Sequence, residues 1–235
     1  MSKYTILAGA PEGYDALLIA EAVRKSGGMH LHIARDEQRA AALVEALAFF
    51  EPKLEVLTFP AWDCLPYDRV SPKPEIAAER MATLAALTAR KRGPRVVVTT
   101  VSAALQRVPP RGAVESASFG VRKGATVKLR DLLAFLSRNG FARASSVVEP
   151  GDFAVRGGIV DVFPPGLEMP LRLDLFGDTL ESIRQFEAES QKSVGEVDAV
   201  VLTPVSEVPL DPDSIARFRS GYIATFGAVL GDDAL

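Results

Sequence analysis

The sequence holds one cysteine, Cys64, two histidines, His30 and His32, and one tryptophan, Trp62, among 235 residues. A single thiol excludes an internal disulfide and cannot by itself build a thiolate metal site. Its setting in Trp62-Asp-Cys-Leu65 brings no histidine close, so an inert cysteine is expected rather than a nucleophile. The two histidines alternate in one strand and share a face, yet two ligands fall short of the three that a zinc site normally draws from protein. Excess positive charge is also missing. The net charge is -3, and residues 138–186 set five arginines against seven carboxylates, which gives no broad basic field for a phosphate backbone. No run approaches the ~20 apolar residues needed to cross a bilayer, and the start Met1-Ser-Lys-Tyr-Thr-Ile-Leu-Ala lacks a secretory pattern. A cytoplasmic protein without membrane association is expected.

With 48% apolar and 24% charged residues, the chain is globular and long enough for one large or two modest domains. The first half alternates strands and helices. Tyr4–Ala8, Met29–Ala34, Leu54–Phe59 and Arg95–Thr99 read as strands; Asp15–Lys25, Glu37–Phe50 with Asp36 as N-cap, and Pro74–Arg90 read as helices. This order predicts a parallel sheet with helices on both faces. Its first strand-to-helix loop, Gly9-Ala-Pro-Glu-Gly-Tyr-Asp15, has no lysine for phosphates and carries Glu12 and Asp15, which would repel a triphosphate. Neither Lys3 nor Lys25 lies in such a loop, so no nucleotide or other cofactor is expected. The proline-rich segment Phe59–Pro74 contains Trp62 and Tyr67, which could stack on bases, but only Arg69 and Lys73 stand by against Asp63 and Asp68. Plugging of the sheet end is the preferred role for it, ahead of contact with nucleic acid or with another partner.

After Val108 the chain changes character. Leu129–Arg138 is a short helix ended by Asn139-Gly140, and Phe141–Phe186 becomes strand and turn, with Gly177-Asp178 closing a hairpin between Leu171–Phe176 and Thr179–Phe186. In Leu171-Arg-Leu-Asp-Leu-Phe176, the leucines take one face and Arg172, Asp174 and Phe176 the other. Phe153 and Val155 join the leucine face, leaving Arg156 opposite, beside Gly157-Gly158. Two arginines with an aromatic neighbour facing solvent form a candidate docking surface. The plainer alternative is sheet decoration, with Phe176 over the sheet edge and Arg172 in a surface ion pair with Asp174 or Asp161 worth ~0–1 kcal/mol. A last helix opens at Asp211-Pro-Asp-Ser with Ile215, Phe218 and Phe226, whose apolar side chains need packing. Gly231–Leu235 supplies no closing element, as expected of a piece of a longer protein.

Trp62-Asp, Leu65-Pro-Tyr-Asp68, Ser71-Pro72, Glu79-Arg-Met-Ala-Thr-Leu84 and Gly151-Asp-Phe-Ala-Val-Arg-Gly-Gly-Ile-Val-Asp-Val-Phe-Pro164 together resemble the N-terminal region of the bacterial transcription-repair coupling factors (Mfd), which is related to that of UvrB. The resemblance implies an α/β fold: a degenerate helicase-like parallel-sheet domain starting at 1–120, an inserted α+β UvrA-binding domain at 121–208, and an incomplete return to the first domain at 209–235. It implies a non-catalytic fragment of an ATP-dependent DNA translocase, recruiting UvrA where RNA polymerase has stalled, through Arg156, Arg172 and Phe176. Replacing either arginine by alanine is then expected to cost ~2 kcal/mol or more of affinity with the fold intact. The resemblance further implies that the C-terminal domain of the full-length protein covers this surface at rest, and that RNA polymerase and duplex DNA are bound by regions outside these 235 residues. Direct DNA binding by a UvrB-like module is the alternative function.

Overall fold

The computed structural model describes residues 6, 8–65, 70–89 and 93–227. Most of the expected strand Tyr4–Ala8, the side chains of Tyr67 and Arg69, and the end Gly231–Leu235 lie outside the described residues. The chain forms two compact units, residues 1–111 and 112–235.

In the first unit the elements run α1 (Tyr14–Ser26), β1 (Met29–Ala34), α2 (Glu37–Phe50), β2 (Glu55–Phe59), α3 (Pro74–Thr88), β3 (Arg95–Thr100) and α4 (Val101–Ala104). The three strands pair in parallel in the order β1-β3-β2. Every residue of β3 is buried, as a central strand with both faces covered requires. Val96 and Val98 pack with Ala16, Ala20 and Val23 of α1 and Leu43 and Leu47 of α2, while Val97 packs with Phe59 and Ala103. Leu84 and Leu87 of α3 join this second cluster, so helices cover both faces. Local chemistry fixes the ends. The Asp36 carboxylate accepts from the Arg39 N–H at 2.9 Å and caps α2, a bond that also holds its pKa below the usual carboxylate value. Pro74 starts α3, where its missing N–H leaves no bond unmade.

Arg80 on α3 is fully buried. Its guanidinium lies 4.1 Å from the Phe59 ring centre and 5.1 Å from that of Trp62, and Nη1 donates to the Pro60 carbonyl at 2.7 Å and to Gln106 Oε1 at 2.9 Å. Gln106 Oε1 also accepts from the Trp62 N–H, and Asp63 accepts from the Lys73 N–H at 3.1 Å, which ties the two ends of the proline-rich segment together. Half-buried Trp62 thus lies against Arg80.

The second unit continues with α5 (Arg111–Ser116, opening at the boundary), β4 (Phe119–Arg122), α6 (Leu129–Arg138), β5 (Ala142–Arg143), β6 (Asp152–Arg156), β7 (Ile159–Val162), β8 (Leu171–Phe176), β9 (Thr179–Phe186), β10 (Ser193–Glu196), β11 (Ala199–Leu202) and α7 (Pro212–Phe226). Six strands form one sheet in the order β10-β9-β8-β7-β6-β5, and β4 pairs antiparallel with β11. The hairpins β6-β7, β7-β8 and β8-β9 are antiparallel, and β5 joins β6 in parallel. Gly157 and Gly177 open the two-residue turns at φ 61°, a conformation glycine adopts without steric cost. Phe153, Val160, Val162, Leu171, Leu173, Leu175 and Ile183 are buried on one face, as the alternation predicts for Phe153 and for β8, while Val155 is half-buried. Along β9 the alternation breaks. A register shift between Asp174 and Leu175 pairs Asp174 with Ser182 but Leu175 with Leu180, and so returns Leu180 to the buried face. On α7, Phe218, Tyr222 and Phe226 stack at ring separations of 5.9 and 4.9 Å, and none of its described residues is buried.

Replacing Arg80 by alanine should destabilise the chain by about 2–4 kcal/mol in urea unfolding, because a fully buried side chain is removed from between two rings and the Pro60 carbonyl and Gln106 Oε1 each lose one of its hydrogen bonds. His32 supplies a second test, since burial lowers its pKa and Asp15 opposes that shift only in part. A histidine held neutral by the fold contributes stability that is present above its unfolded pKa and lost as pH falls through its folded pKa. The melting temperature should therefore drop from about pH 7.5 to about pH 5, and His32→Gln should make the drop shallower.

Candidate partner-binding surface

The face of the six-stranded sheet opposite the leucines carries two rows of side chains. Register aligns Ala154, Asp161, Arg172 and Arg184 across β6 to β9, and Arg156, Ile159, Asp174 and Ser182 beside them. Phe176 stands at the end of β8, paired with Thr179. With strands about 4.8 Å apart and about 3.4 Å per residue, the surface from Arg156 to Phe176 and Arg172 measures roughly 10 by 13 Å.

One end of this face is covered. Val147, Ala154, Phe163 and Phe186 form a small buried cluster, and Gln191, at φ 58°, donates through Nε2 to the Val147 carbonyl at 3.0 Å. Beneath this cover Asp161 is 1% exposed. Arg172 meets it in a bidentate bond, Nε to Oδ1 at 2.7 Å and Nη2 to Oδ2 at 2.9 Å. The guanidinium also lies 4.7 Å from the Phe186 ring centre, and Nη1 donates to the Gln191 carbonyl at 3.4 Å. The bonds to Asp161 raise the Arg172 pKa above its ordinary value, against the smaller effect of burial. Arg156 approaches the same carboxylate from the other side, with Nη2 at 3.7 Å from Oδ2 and 3.4 Å from the Ser145 carbonyl. Arg184 pairs with Asp174 at 3.1 Å.

The three residues singled out in the sequence therefore share one face but not one environment. The Phe176 side chain projects, 77% exposed, and Arg156 is 52% exposed. Arg172 is not the solvent-facing side chain that alternation predicted, for its side chain is only 17% exposed. Alternation assigns a face, whereas the loops that cover that face decide the burial. Nor is the ion pair a surface one, because Asp161 is closed off from water. Asp161, buried and paired with both arginines, is the residue of this face that the sequence undervalued. Its signal was a carboxylate set between Val160 and Val162, in the same alternation class as Arg172.

Elsewhere, the Ser26 hydroxyl lies 2.8 Å from His30 Nε2, and no cluster of three or more metal-ligating side chains occurs among the described residues. Among the described residues no helix is long and apolar enough to cross a membrane. Glu12 of the first loop pairs with Arg39 at 3.1 Å.

Residues 119–207 match a family model described as the UvrB interaction domain, a span that contains every strand of this surface. The chain is 35% identical over 211 residues, 90% of its length, to the transcription-repair-coupling factor of Escherichia coli (strain K12). The chain resembles transcription-repair-coupling factors. Identity to that of Haemophilus influenzae is 31% over 98% of the chain, and to that of Myxococcus xanthus 36% over 80%. The chain spans 18%, 20% and 16% of these three coupling factors.

The two arginines should separate in stability. Arg172→Ala takes the bidentate partner from a buried carboxylate and should cost about 3 kcal/mol. Arg156→Ala removes a half-exposed partner and should cost under about 1 kcal/mol. Guanidinium unfolding of the two variants against the parent measures both, with equal midpoints as the contrary result.

Proposed function

We propose that the chain is a non-catalytic, protein-binding region of a transcription-repair coupling factor, and that its residues 121–208 recruit UvrA. The observation that carries this reading is Phe176. A large apolar side chain, 77% exposed at the end of a strand, sits on the face where Arg156 and Arg172 gather around buried Asp161. An exposed aromatic beside preorganised arginines has the composition of an interface centre. The match of residues 119–207 to the UvrB interaction domain supports the same assignment.

In this reading residues 1–120 begin a degenerate helicase-like domain, 121–208 are the inserted UvrA-binding domain, and 209–235 return to the first. Translocation on duplex DNA and contact with RNA polymerase belong to other parts of the full-length, cytoplasmic protein. There the C-terminal domain covers Phe176 and its neighbours until the factor acts on a stalled polymerase. Direct DNA binding gains little support, since Trp62 lies against Arg80 and the Arg172 charge is already matched by Asp161.

Titration of UvrA with the purified chain tests the assignment. Arg156→Ala and Phe176→Ala should each weaken binding by ~2 kcal/mol, about thirtyfold, with circular dichroism unchanged. Unchanged affinity in both variants would overturn it.

A further inference from the structure

The carboxylate at the centre of this surface is itself closed off from solvent. Asp161 has 1% of its surface exposed, yet both its oxygens are engaged by arginines of neighbouring strands. Oδ1 accepts from Arg172 Nε, and Oδ2 is shared between Arg172 Nη2 at 2.9 Å and Arg156 Nη2 at 3.7 Å. Asp161 is paired directly across the ladder with Ala154 on β6 and Arg172 on β8, so its backbone is fixed from both sides. The Phe186 ring beneath Arg172 and the Gln191 carbonyl at its edge leave that guanidinium one orientation. Arg156, on the strand beyond, is held more loosely and keeps half its side chain in solvent.

We propose that Asp161 is the positioning residue of the UvrA-binding surface, and that it presents Arg156, backed by Arg172, as a receptor for a single carboxylate on UvrA. The proposal rests on the assignment of UvrA as the partner. Charge sets the number. Two guanidiniums around one buried carboxylate leave one positive charge unmatched, while the adjacent Arg184–Asp174 pair is neutral in itself. One incoming acidic side chain completes the set. Without Asp161 the two guanidiniums repel each other, and Arg156 loses the anchor that aims it. Preorganisation of this kind lowers the ordering cost that binding must otherwise meet, so its loss appears in affinity although Asp161 touches no partner.

Two measurements test the proposal. In the unmodified chain, the Arg172 Nε–H resonance should be resolved and protected from water exchange near neutral pH. A signal averaged to free-arginine behaviour would overturn the proposal without any variant. UvrA titrations of the parent, Asp161→Asn, Arg156→Ala and the double variant supply the second measurement, each at a temperature where circular dichroism shows a folded chain. Asp161→Asn should bind at least about tenfold more weakly, and the double variant should be within about threefold of Arg156→Ala alone, because Asp161 acts through Arg156. Parent-like affinity of Asp161→Asn beside a weakened Arg156→Ala overturns the positioning role and leaves UvrA as the partner. Losses that multiply in the double variant also overturn it, since Asp161 would then act independently. Parent-like affinity in Arg156→Ala and Phe176→Ala together removes the partner assignment itself.

Discussion

A carboxylate shut inside a protein is tolerated only when cations and donors replace the water it has lost, and in this chain that condition falls on Asp161. Much of the second unit is arranged around it. The β7-β8 ladder must place Arg172 opposite Asp161, because a slip by one residue would send the guanidinium to the leucine face and leave the carboxylate alone. The loops over the same end supply the Gln191 carbonyl, and Phe186 of β9 supplies the ring beneath Arg172. Burial of one charge thereby acts as a constraint on register, on loop path and on the direction in which Arg156 points.

The first unit solves a related problem with a cation. Arg80 lies between the Phe59 and Trp62 rings and donates to the Pro60 carbonyl and to Gln106. These contacts tie the chain after β2 to the middle of α3 and to residue 106, beyond the end of β3. In both units an arginine spreads its charge over aromatic faces while its N–H groups satisfy fixed oxygens, a combination that lysine does not match.

Where a pattern is local, the sequence was a good guide. The apolar run Arg95–Thr99 announced a central strand, Asp36 announced the start of α2, Leu129–Arg138 was a complete helix, and Gly177-Asp178 marked its hairpin. Alternation also placed Arg156, Arg172 and Phe176 on one side of the sheet. Burial was not legible, because the cover over Asp161 comes from Val147 and Gln191, whose meeting depends on a left-handed glutamine that no short motif foretells. Pairing of Phe119–Arg122 with Ala199–Leu202 was equally hidden, since two short strands so distant in sequence carry no signal of each other. The buried state of Arg80 escaped for the opposite reason. A helical arginine reads as surface, and only the rings of Phe59 and Trp62 make an interior place for it.

The irregularity between β8 and β9 bears on how this surface stays soluble. Leu180 shares its sequence parity with Ser182 and Arg184, and in a regular ladder it would emerge on the open face directly beside Phe176. The shift gives Phe176 a threonine neighbour instead and leaves Leu180 fully buried. A lone exposed ring can engage one shaped pocket, whereas a ring fused with a leucine would make a greasy patch open to any comparable surface. The extra residue in β9 therefore works as an insulator between the exposed aromatic and the core, and its presence makes the length of that hairpin, as much as its composition, a condition for Phe176 to stand apart from other apolar side chains of its ladder.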